Sequence, residues 1–103
     1  MAAIKGVLKE ELDNSLRMKK VYERELAKLP KGSLVKSKRK NHQYYYLVLR
    51  EKGKVKLIYK GKLSDSEINK YNKIKELRAK YRESLSQTKD QIKFLEKSLK
   101  YAR

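Results

Sequence analysis

The sequence predicts an α+β domain: an N-terminal helix, a three-stranded antiparallel β-meander and a long C-terminal helix, with the two helices forming an antiparallel coiled-coil-like hairpin. Three observations predict it. Apolar side chains recur at helical spacing over 4–29, the period changes to two over 33–62, and a helix-start signal at Ser64 opens a second run at helical spacing.

The first helix is read from Ile4, Leu8, Leu12, Leu16, Tyr22, Leu26 and Leu29, which step by three or four except near Lys19. Pro30 and Gly32 follow at once. A proline pushes the residue before it out of the helical region, so the helix is expected over 4–29.

From Ser33 to Lys62 the chain is rich in Tyr, Val, Leu and Ile, with polar breaks at Lys40-Asn41-His42 and Glu51-Lys52-Gly53. Alternation bounded by such breaks predicts a meander. A three-residue second turn with Gly53 in the left-handed conformation would pair Leu49 with Val55, Leu47 with Leu57 and Tyr45 with Tyr59. One face would then be a core of those six residues. The other would carry Tyr44, Tyr46, Val48, Arg50, Lys54, Lys56, Ile58 and Lys60.

The second helix is expected over 64–101. Ser64 as N-cap with Glu67 three residues on makes a capping box, and Leu63 with Ile68 makes a hydrophobic staple. A near-heptad series runs from Tyr71 to Ala102. Matching Leu29 with Ile68 and Leu16 with Tyr81 leaves Leu95 and Leu99 without an intrachain partner. Ile92, Leu95 and Leu99 are therefore expected to pair with a second copy of the chain in a two-fold dimer.

The 103 residues include 29 Lys plus Arg, 12 Asp plus Glu, one His and no Cys, for a net charge of +17. That length implies one domain covering 1–103. Without Cys there is no disulfide framework, and His42 alone builds neither a His-based metal site nor a catalytic triad. The paired carboxylates Glu10-Glu11 and Glu23/Glu25 lie among Lys and Arg on what read as solvated helix faces. The Lys31-Gly32-Ser33 segment lacks P-loop spacing. No enzymatic activity, cofactor or metal is expected. The N-terminus lacks the apolar core of a signal peptide and no apolar stretch approaches a membrane span, so the expected location is the cytoplasm, with no membrane partner.

The charge is concentrated. Residues 30–62 hold eleven basic residues and a single acid, Glu51. Such a field on about a third of the chain points to a polyanion, and nucleic acid, DNA ahead of RNA, is the expected partner. The candidate contacts are Lys36, Lys38 and Arg39 on the first strand, Tyr44, Tyr46 and Arg50 on the second, Lys54, Lys56 and Lys60 on the third, and Lys62 beyond it. Cations there would neutralise phosphates while rings lie against bases or sugars. Lysine outnumbers arginine in this set, which suits phosphate contact more than base reading and predicts low sequence specificity.

Each of these features has a plainer reading. Lysines on strands also protect sheet edges, and tyrosines favour strands whatever their function. The rival function is a non-enzymatic coiled-coil module that oligomerises or binds a partner protein, with the basic sheet against an acidic surface.

The segments Leu29-Pro30-Lys31-Gly32-Ser33-Leu34-Val35, Tyr44-Tyr45-Tyr46-Leu47, Gly53-Lys54-Val55 and Tyr59-Lys60-Gly61-Lys62-Leu63-Ser64 resemble a family of small basic prokaryotic and viral proteins of unknown function. The resemblance implies a helix, a basic hairpin and a long charged helix, and no catalytic residues. The hairpin is also similar to short β segments in the DNA-binding parts of some transposases, which adds to the DNA reading.

Overall fold

A computed structural model describes residues 2–102; Met1 and Arg103 lie outside the described residues. The elements are α1 (Ala2–Lys28), β1 (Ser33–Arg39), β2 (His42–Glu51), β3 (Lys54–Gly61) and α2 (Asp65–Tyr101). The three strands form one antiparallel meander in the order β1-β2-β3. The expected α+β class and element order are therefore those observed, with boundaries moved by one or two residues. No helix among the described residues is long and apolar enough to cross a membrane.

The chain divides into two compact units, Met1–Lys28 with Arg78–Arg103, and Leu29–Leu77. In the first, α1 lies along the later part of α2. The Tyr22 and Tyr81 rings meet at 6.3 Å between centroids. Ile92 and Leu95, farther along α2, are buried at 7% and 5% exposure. Within this unit they can be covered only if α1 runs back antiparallel, with Ser15, Leu12 and Leu8 alongside. The stripe of α1 turned from solvent is Ser15, buried, with Leu8, Leu12, Lys19, Tyr22 and Leu26, half-buried, alternating steps of four and three, which is a heptad seam. On α2 the residues less exposed than their neighbours form an equally regular series, Tyr81, Leu85, Thr88, Ile92, Leu95 and Leu99, and the Tyr22–Tyr81 contact joins the two.

This seam corrects two expectations. Tyr22 and not Leu16 sits beside Tyr81, and Leu16 is exposed. The break seen near Lys19 is no break, because Ser15 and Lys19 occupy seam positions. Ser15 is small enough to be buried at 5%, and Lys19 lays its stem in the seam while its Nζ reaches Glu23 at 3.9 Å. The resulting shift covers Ile92 and Leu95 within one chain and leaves Leu99 half-buried. The uncovered seam that called for a second copy is absent, so the dimer loses the argument that proposed it.

In the second unit, α2 starts as its sequence signals. The Glu67 N–H donates to Ser64 Oγ at 3.2 Å, and that hydroxyl donates to Glu67 Oε1 at 3.2 Å. The Ile68 N–H closes on the Ser64 carbonyl at 3.0 Å. One of the otherwise unpaired N–H groups at the helix start, that of Glu67, is thus satisfied by the cap, and the Ile68 N–H makes the first bond of the helix. Leu63 and Ile68 are both half-buried.

Candidate nucleic-acid interface

Both hairpins close through two-residue loops whose residues all have positive φ: Lys40 (46°) with Asn41 (66°), and Lys52 (49°) with Gly53 (75°). These are type I′ geometries, whose twist matches that of the strands they join. His42, expected in the first turn, is instead the first residue of β2, opposite Arg39. In the second hairpin Glu51 pairs with Lys54, Arg50 with Val55, Leu49 with Lys56, Val48 with Leu57, Leu47 with Ile58 and Tyr46 with Tyr59. Beyond this, Tyr45 pairs with Gly61, and Lys60 is the extra residue of a bulge.

The pairing is one residue away from the expected register. A one-residue slip moves every β3 side chain to the opposite face. Lys54 and Lys56 thereby join Tyr45, Leu47 and Leu49, together with Lys36 and Lys38 of β1. Tyr45 is buried there, and Leu47 and Leu49 carry the backbone of Gly32 upon them. Lys56 also faces Glu51, at 3.9 Å, the one ion pair the sheet makes among the described residues.

The opposite face receives Val55, Leu57 and Tyr59 where Lys54, Lys56 and Ile58 were expected. These three are 60%, 67% and 58% exposed. Of the candidate contacts it keeps Arg39, Tyr44, Tyr46 and Arg50. Lys60 sits in the bulge and Lys62 follows the strand, so the ten candidates do not form one surface.

What the structure does bring together is an aromatic row. Tyr59 stands 5.3 Å from Tyr46 and 6.2 Å from Tyr44, and His42 is 6.3 Å from Tyr44, all centroid to centroid and tilted. Arg39, Lys40, His42 and the three tyrosines line an open cleft of about 570 Å³. Tyr59, His42 and Lys40 were missed as site residues. A three-residue loop places Tyr59 on the core face, whereas the two-residue loop places it beside Tyr46; Lys40 lies in the first hairpin loop as expected, and His42 begins β2. The signal for Tyr59 is Lys52-Gly53 itself, since a two-residue loop ending in Gly is a common hairpin connection.

Arg39 and Lys40 supply cations at one edge of a ring-lined hollow, an arrangement that can hold a planar aromatic group carrying an anion. No cluster of three His, Asp or Glu side chains among the described residues could hold a metal. No family model, curated protein or solved structure matches the chain. The resemblance drawn from its sequence segments therefore rests on those segments alone.

Proposed function

We propose that the chain binds nucleic acid through the sheet of Leu29–Leu77, by contacts directed mainly at phosphates and of low sequence specificity. The observation that supports this most is the uncompensated charge: eleven basic residues and one acid within residues 30–62. Every Lys and Arg of that segment is exposed. A cationic surface of this kind gains affinity by releasing the counterions condensed on a polyanion. DNA is placed ahead of RNA on the likeness of the hairpin to transposase segments.

The test is binding of labelled duplex DNA, single-stranded DNA and structured RNA across a salt series. Affinity is expected to fall with a slope of about −4 to −8 in log affinity against log salt. Replacing Arg39 and Lys40 by Gln should reduce the steepness of that slope by about 1–2. Absent binding of all three at physiological salt overturns the proposal.

A second reading, a protein-interaction module, is favoured by apolar side chains that α1 leaves outside its seam. Ile4, Val7, Met18 and Val21 are all exposed. Sedimentation of the chain alone separates this reading from the first, because self-association through that flank would appear without any nucleic acid.

A further inference from the structure

We infer that the aromatic row takes the bases of an unpaired nucleic-acid strand, DNA or RNA, in place of the outside of a duplex. The inference rests on the nucleic-acid reading above and names the state of the substrate. Three features of the ring face carry it.

The first is the rings. Tyr59 is 58% exposed, and its planes make angles of 37° and 56° with Tyr44 and Tyr46. Tilted rings do not cover one another's faces, so the row offers π-surface to a third party. Its cleft of about 570 Å³ is open to solvent along the rings. A base stacks on such a ring whatever its identity, because every base has a π-face.

The second is what lies beside the row. Val55 and Leu57 continue the same face and are more than half exposed. A duplex turns phosphates and polar groove edges outward and hides its base faces. Docking one here would press charged backbone against valine and leucine, at a desolvation cost. An unpaired strand presents its base faces to such a surface.

The third is what the face lacks. Reading a duplex groove needs side chains that bond base edges in pairs, chiefly Arg, Asn and Gln. The strands contribute no Asn or Gln to this face, only Arg39 and Arg50 at its two ends. Arg39 and Lys40 instead stand at the rim of the cleft, placed for the phosphate of a nucleotide whose base enters.

The chain has no Trp and eight Tyr, three of them in the row, so the part of any tyrosine quenching that is lost in Tyr59→Ala reports on these rings. The experiment compares twelve-nucleotide oligo-dT and oligo-U, a duplex of equal length, and inorganic polyphosphate, on the full chain and on Tyr59→Ala and Tyr59→Phe. Both single strands are expected to bind at least tenfold tighter than the duplex and to quench tyrosine emission. Tyr59→Ala should weaken them about fivefold to a hundredfold, while polyphosphate binding stays unchanged and Tyr59→Phe binds like the parent. Circular dichroism melts check that Tyr59→Ala is folded.

Equal affinity for strand and duplex with no effect of Tyr59→Ala overturns the stacking inference and leaves the phosphate reading standing. Binding of polyphosphate but of no nucleic acid, or of nothing at all, overturns both. A preference between oligo-dT and oligo-U reports on the 2′-hydroxyl and the thymine methyl together and supports the inference either way.

Discussion

Gly32 adopts φ +110°, and a Cβ built there would stand 2.9 Å from Leu47 Cδ1 and 2.9 Å from Leu49 Cδ2. Backbone is thus laid directly on the apolar face of the sheet, in a conformation that L side chains avoid. Gly32→Ala should therefore destabilise the protein by about 2 kcal/mol or more, from overpacking and backbone strain together, read as a fall in the urea midpoint. An unchanged midpoint would show that the two leucines yield freely. The sequence marks Gly32 only as part of a helix stop after Pro30, because a close approach between distant residues leaves no trace in local pattern. Ser15 is a similar case and Thr88 a contrasting one. Both are buried, and the Thr88 hydroxyl donates to the Ser84 carbonyl at 2.8 Å; the heptad series of the second helix already includes Thr88, whereas Ser15 fills a seam position where a count of apolar residues sees a gap. The lysines of the hairpin loops illustrate the opposite pull. Lys40 and Lys52 accept positive φ, a cost of about 1–2 kcal/mol for an ordinary side chain, in exchange for strands whose twist matches their turn.

The helices show which information is local. The end of α1 at Lys28 and the start of α2 at Asp65 are legible because Pro30 and the Ser64/Glu67 cap act within one turn. Their mutual register is not, since the segment joining them is a whole sheet and no tight loop ties Leu29 to Ile68. The seam itself decides it, by aligning two heptad series. The consequence is testable at two adjacent residues. Leu95 is 5% exposed and Phe94 is 67% exposed. Leu95→Ala should cost about 2–4 kcal/mol by leaving a cavity, and Phe94→Ala should stay within about 0.5 kcal/mol. For both, the urea midpoint should be independent of protein concentration. A midpoint rising with concentration would return Leu95 to an interface between copies. The strands repeat the lesson at a smaller step. Period two locates all three, but a loop of two residues in place of three exchanges the occupants of both faces, moving Lys54 and Lys56 away from Tyr44 and Tyr46 and bringing Tyr59 to them.

At the scale of the whole molecule the excess of cations is the dominant fact. Twenty-nine basic and twelve acidic side chains give +17 on 103 residues, and the described ion pairs of the helices, Lys19–Glu23 and Lys28–Glu25, are exposed neighbours on α1 that contribute little. Self-repulsion in the folded state should therefore be relieved by salt. Raising sodium chloride from 20 to 300 mM is expected to raise Tm by about 4–8 °C, the equivalent of about 1 kcal/mol. A flat or falling Tm would mean that the like charges are too dispersed to strain the fold. The sequence by itself determined the α+β class, the order and limits of the five elements, the cap of α2 and the concentration of charge in residues 30–62, because each depends on residues within a few positions of one another. Only the tertiary structure decided which faces the strands share, which residues pair along the helices and that Tyr44, Tyr46 and Tyr59 stand together. A slip of one residue in a hairpin or of several along a seam leaves every local preference satisfied, and the choice between registers is made by packing across the chain.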